Sequence, residues 1–183
     1  MVACNTATGA AIQILRENWP DMPIIGMEPA IKPAVALSKK AVVGVLATES
    51  TLHSDKYIST RDRYAKGVKV VEHSGEGFVE LVESARLEGP EVEALVKKSL
   101  EPLLDAGADV IVLGCTHYPF LLPVMKSVAG PGVQFVDPAP SVARHLKELL
   151  ESAGFSLGDT GFSIEIKSSG SDETARRLYE SII

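Results

Sequence analysis

The sequence predicts an α/β fold built on parallel sheet. Three observations carry that expectation. Strand-like and helix-like stretches alternate along the 183 residues, with no tandem repeat or low-complexity segment. The strongest strand candidates, residues 41–47 and 109–113, are unbroken apolar runs, as strands covered on both faces require. Long stretches between them, such as 78–86 and 91–106, place apolar side chains at helical spacing.

In chain order, residues 8–18 read as a helix, with Ala11, Ile12 and Leu15 on one face and a stop at Trp19-Pro20. Residues 23–27 form a short buried strand, 30–39 a helix and 41–47 a strand. Residues 51–64 read as helical and 68–72 as a strand. Gly75-Glu76-Gly77 is too short for a phosphate loop and reads as a helix-entry turn before residues 78–86. Gly89-Pro90 separates that helix from the next, 91–106. Strand 109–113 leads into a turn holding Cys115, then a helix near 121–128. Strand 133–136 ends at Asp137-Pro138 and is followed by a helix over about 141–153, a strand over 163–167 and a helix over 172–181. Turns at Glu28-Pro29 and Asp137-Pro138 bound a central block, 29–138, with the strands of a complete α/β unit; the flanks 1–28 and 139–183 hold too few to close a second.

Composition narrows the function classes. Hydrophobic residues at 45% and charged residues at 23% are those of a globular chain, not a disordered one. A net charge of -6 and a pI near 5.3 argue against nucleic acid as a partner. No apolar run approaches the roughly 18 residues of a membrane span, and no basic-then-apolar secretory leader is visible. With only two cysteines, free thiols are expected rather than a disulfide framework, and the expected compartment is cytoplasmic. His53, His73 and His145 lack metal-ligand spacing, so no metal is expected.

The two cysteines share a phrase. Val2-Ala3-Cys4-Asn5-Thr6 and Val112-Leu113-Gly114-Cys115-Thr116-His117 each run from apolar residues into a thiol followed at once by hydrogen-bonding side chains. Ligands of open α/β sheets sit beyond the carboxyl ends of strands, where Cys115 falls, and backbone N–H groups there favour anions and thiolates. Thr116 adds a hydroxyl and His117 a group that titrates near neutrality. Alone, Cys115 reads equally well as a small buried hydrophobe; its repetition at Cys4 favours function.

Gly114-Cys115-Thr116-His117-Tyr118-Pro119, with Ala3-Cys4-Asn5-Thr6-Ala7, resembles the paired cysteine motifs of cofactor-independent glutamate racemases, in the aspartate/glutamate racemase superfamily. Gly26-Met27-Glu28-Pro29-Ala30, the stretch from Gly44 to Thr51 with Ser54 and Tyr57, and Phe78-Val79-Glu80-Leu81-Val82-Glu83 agree with it. The resemblance implies two pseudo-symmetric parallel-sheet α/β domains and a two-thiol exchange at the Cα of glutamate. Cys4 and Cys115 would be the acid and base, His117 supported by Glu83 would tune Cys115, and Asn5, Thr6, Thr116 and Thr48 would hold the substrate. It implies no cofactor, and D-glutamate for peptidoglycan as the product's use.

The same pattern places an Asp-Ser strand and a Tyr-Gly loop ahead of the first cysteine, and neither precedes Cys4 here. The expectation is therefore a first domain (1–28 with 139–183) lacking its beginning, and a chain whose own turnover is in question. Aspartate is the second candidate substrate. A non-catalytic remnant, forming a homodimer through apolar surface left bare, is an alternative from another class. A hydrolase or transferase using Cys115 with His117 is a third, which leaves Cys4 unexplained and needs a third, distant group.

Overall fold

The computed structural model describes residues 1–155, 161 and 163–181. At its centre lies a four-stranded parallel sheet of order β2-β1-β3-β4. The strands are β1 (Val42–Ala47), β2 (Lys69–Ser74), β3 (Val110–Leu113) and β4 (Gln134–Val136). Around it are α1 (Asn5–Asn18), α2 (Ile31–Leu37), α3 (Glu49–Leu52), α4 (Asp55–Tyr64), α5 (Phe78–Glu83), α6 (Pro90–Asp105), α7 (Leu122–Ala129), α8 (Ala139–Ser152) and α9 (Asp172–Glu180).

The unbroken apolar runs of β1 and β3 are explained by burial on both faces. Leu46, Ile111 and Leu113 meet α5, α6 and α7 on one side. Val43, Val45, Ala47, Val110 and Val112 meet α2 and α4 on the other. Successive side chains point to opposite faces, so a strand between two helical layers has no polar position to offer.

This strand order creates a switch point. From β1 the chain leaves through α3 and α4 to β2 on one flank; from β3 it leaves through α7 to β4 on the other. Since α4 and α7 lie on opposite faces, the two exits diverge and leave a crevice above the carboxyl ends of β1 and β3. Thr48 follows β1 at that crevice and Gly114-Cys115 follows β3.

Several elements differ from expectation. Helix α1 begins already at Asn5, because Cys4 takes the N-cap position. The strand expected over 23–27 reduces to one parallel bridge between Val2 and Gly26, since the neighbouring segment turns helical directly after Cys4. The helix expected over 51–64 is two: Ser54 is extended and its hydroxyl accepts from Tyr57 N at 3.2 Å, restarting the helix. The helix expected over 30–39 stops at Leu37, where Ser38, Lys39 and Lys40 turn to meet Asp109. Residues 163–167 form no strand; Ile164 is exposed, and no sheet edge among the described residues pairs with them. The Gly75-Glu76-Gly77 turn enters α5 as expected, with Gly77 in the left-handed region at φ 79°.

Candidate active site

The two cysteine turns meet at the crevice. Cys4 is half-buried and its Sγ accepts from Ala7 N at 3.5 Å, capping α1. The next residue, Asn5, is buried, and its Nδ2 donates to the carbonyl of Gly114 at 2.8 Å across 109 residues of sequence. Gly114 N in turn donates to Leu46 O at 2.7 Å. A Cβ on Gly114 would stand 2.5 Å from Ala47 Cβ, so only glycine lets the turn before Cys115 close on β1. The residue after one thiol is thereby fastened to the residue before the other. Asn5 Oδ1 is buried and has no hydrogen-bond partner among the described residues.

Thr6 joins the first turn to the end of β1. Its hydroxyl lies 2.9 Å from that of Thr48 and 3.0 Å from that of Thr51, and Thr48 donates to Thr51 at 3.0 Å. Thr48 also accepts from Thr51 N at 3.3 Å, the N-cap bond of α3. In a closed ring of three hydroxyls each proton serves a neighbour, so what remains outward is acceptor capacity, suited to a cation such as an ammonium. Thr51 completes this ring and is absent from the expected site residues. Its signal was the hydroxyl spacing of Thr48-Glu49-Ser50-Thr51 at a helix start.

On the second turn, Cys115 Sγ lies 3.7 Å from His117 Nδ1, and His117 Nε2 lies 2.7 Å from Glu83 Oε1 at the end of α5. Both ring nitrogens thus face groups that accept a proton-bearing N–H. The hydrogen bond to Cys115 pushes the imidazole pKa up, burial pushes it back, and Glu83 adds to the rise, so that His117 titrates at about 9. At neutral pH it is an imidazolium, the partner that stabilises a thiolate.

Beside this turn lies a cavity of about 420 Å³, lined by Cys115, Thr116, Met27, Phe120, Pro138 and Val142 among others. Cys4 is not in its lining, although its neighbour Ala3 is. The expected residues therefore fall into three groups: Cys4 and Asn5 at the cap of α1, Thr6 and Thr48 in the hydroxyl ring, and Thr116, Cys115, His117 and Glu83 on the second turn. The Asn5–Gly114 bond joins the first group to the third.

Comparison with known proteins gives the family and the fold relatives of the chain. Residues 1–146 match the family described as Asp/Glu/Hydantoin racemase. The glutamate racemase of Methylococcus capsulatus is 48% identical over 178 residues, which cover 97% of this chain and 65% of that protein. That of Pseudomonas syringae pv. tomato is 46% identical over 154 residues, 84% of this chain and 56% of that protein. The chain thus spans between 56% and 65% of the length of these two relatives. Among solved structures, Escherichia coli glutamate racemase in complex with L-glutamate and the activator UDP-MurNAc-ala superposes with a TM-score of 0.80 at 29% identity, covering 97% of this chain and 68% of that one. Glutamate racemase RacE1 of Bacillus anthracis superposes with a TM-score of 0.78 at 29% identity, covering 100% and 70%.

Proposed function

Because the chain belongs to the Asp/Glu/hydantoin racemase family, we propose that it interconverts the enantiomers of glutamate without a cofactor, Cys4 and Cys115 working from opposite faces of Cα. The observation that supports this reading most is the Asn5–Gly114 bond, which ties the two cysteine turns together at the sheet's switch point. One thiolate takes the Cα proton while the opposite thiol delivers one to the other face. Each direction of the reaction exchanges their roles.

The surrounding groups suit that task. His117, held cationic by Cys115 and Glu83, stands 3.7 Å from the Cys115 sulfur with a proton to share. The Thr6–Thr48–Thr51 ring offers acceptors to the substrate ammonium. Thr116, at the cavity beside Cys115, offers a hydroxyl to a carboxylate. Residues 29–138 would be one α/β unit, and 1–28 with 139–183 would belong to the other, with α1 bridging them. The product would supply D-glutamate to peptidoglycan, and aspartate, one methylene shorter, is the alternative substrate.

Incubation with D-glutamate in deuterated water tests this directly. Exchange of the α-proton, lost in Cys4→Ser and in Cys115→Ser, is the expected result. Exchange that survives either substitution contradicts the two-thiol reading. Faster exchange from aspartate than from glutamate would reassign the substrate.

A further inference from the structure

Cys115, His117 and Glu83 form a relay that is complete without Cys4. The thiol lies 3.7 Å from one ring nitrogen of His117, and the other is 2.7 Å from a carboxylate brought from α5, a separate element. Nucleophile, base and orienting acid in that order are the components of covalent acyl transfer. The thiol also opens into the cavity of about 420 Å³, whose walls are mainly apolar (Met27, Phe120, Pro138 and Val142 among them), with Thr116 and Asp137 as their polar members. The apolar part of these walls suits an uncharged hydrocarbon chain, and Asp137 disfavours an anionic one.

From this geometry we infer that Cys115 hydrolyses esters of short, apolar carboxylic acids through an acyl-thioester intermediate, the hydrocarbon of the acid occupying the cavity. The Cys115 thiolate attacks the ester carbonyl carbon, a carbon–sulfur bond forms, and the bond to the alcohol oxygen breaks. His117 gives its Nδ1 proton to the departing alkoxide. Water then attacks the thioester, His117 takes the water's proton, and cleavage of the carbon–sulfur bond returns the thiolate and the free acid. The net reaction is ester plus water giving acid plus alcohol.

The change of role required of His117 follows from its surroundings. The largest influence raising its pKa is the hydrogen bond to Cys115. Acylation removes the sulfur's charge and with it that influence. The imidazole pKa then falls, with Glu83 still holding it up in part, and the neutral ring can accept a proton from water. The backbone N–H groups of Cys115, Thr116 and His117 donate to no acceptor among the described residues, so donors remain on this turn for the developing oxyanion.

The test uses the purified chain with p-nitrophenyl butyrate. Expected are saturable release of p-nitrophenolate, faster than from an equal concentration of N-acetylcysteine, and a butyryl group on Cys115 in quenched samples. The butyryl ester should turn over faster than the acetyl ester. Cys115→Ser should abolish release, and His117→Gln should lower turnover by about 100-fold. Glu83 is largely exposed, so Glu83→Gln tests the relay without disturbing the core; the pH limb reporting His117 should move to lower pH. Cys4→Ser separates the two chemistries, since butyryl transfer to Cys115 should persist where α-proton exchange from glutamate stops. The inference is overturned if release is no faster than from N-acetylcysteine or if butyryl labels Cys4 as readily as Cys115. Acylated Cys115 that accumulates without turning over, or an unmoved pH limb in Glu83→Gln, overturns it equally.

Discussion

Asn5 offers the sharpest test of how the two cysteine turns are held together. Its Nδ2 donates to Gly114 O at 2.8 Å in a buried setting, while its Oδ1 is buried without a partner among the described residues. In Asn5→Ala the Gly114 carbonyl loses its donor, a cost of about 1–3 kcal/mol, but the unpaired Oδ1 disappears too, offsetting roughly 1 kcal/mol of it. The net loss should be about 0–2 kcal/mol. Asn5→Asp keeps the shape and reverses the sign of the interaction. An ionised carboxylate would face the Gly114 carbonyl, and an uncompensated buried charge costs about 3–5 kcal/mol. Such a carboxyl has its folded-state pKa raised above the unfolded value near about 3.9, so its penalty grows as pH rises through that interval. Below it the protonated group can donate to Gly114 O, and the penalty shrinks. Urea unfolding followed by circular dichroism, with wild type at each pH, reads both variants. At about 2 kcal/mol per molar of urea, the midpoint should fall by at most about 1 M for Asn5→Ala and by about 1.5–2.5 M for Asn5→Asp at neutral pH. Equal midpoints for the two variants, or an Asn5→Asp penalty that does not shrink on acidification, would refute the seam as described.

Other substitutions probe neighbouring contacts. Gly114→Ala drives a Cβ to 2.5 Å from Ala47 Cβ and should cost about 1–3 kcal/mol, with partial recovery in the double variant Gly114→Ala, Ala47→Gly on thermal unfolding. His117 titrates at about 9, above its ordinary value, so the stability it contributes is full below that ordinary value and is lost as pH rises through about 9. Unfolding measured across that interval should show the loss, and His117→Gln should flatten it. Burial pushes the Asp109 carboxyl up, but Ser38 Oγ at 2.5 Å and the N–H groups of Lys39 and Lys40 outweigh it and hold the pKa low. Its contribution is therefore present above the ordinary carboxylate range and lost on acidification below it. Asp109→Asn should cost about 1–3 kcal/mol in neutral urea unfolding and should weaken that acid dependence.

The sheet was readable where burial leaves no choice of residue. β1 and β3 are flanked by helices on both faces, and their unbroken apolar runs follow from that. The segment 163–167 carries a plausible strand pattern too, but pattern cannot reveal whether an edge stands ready to pair with it. The start of α1 escaped because its cap is a thiol, outside the usual Ser, Thr, Asn and Asp. The split between α3 and α4 rests on one hydroxyl, that of Ser54. At the site, Cys115 and His117 announce themselves by proximity in sequence. Glu83 is 34 residues away and largely exposed, so nothing in its local pattern marks it, and only the family resemblance pointed to it. Asn5, expected to hold substrate, has its amide N–H committed to Gly114, a pairing that depends on strand order and not on any local feature. Thr51 went unread because a hydroxyl at a helix start already has a sufficient role as a cap partner.

The Asn5–Gly114 bond also orders events in time. It closes a loop of 109 residues, an entropic cost of about 4 kcal/mol plus a constant before any contact rewards it. The acceptor carbonyl takes its place only after β3 has paired beside β1, so this bond waits for the inner strands, whereas the bonds of Thr6 to Thr48 and Thr51 need only β1 and α3. Contacts of such long sequence separation form late. The seam between the two cysteine turns is therefore a product of sheet assembly, closing only once β1 and β3 stand side by side.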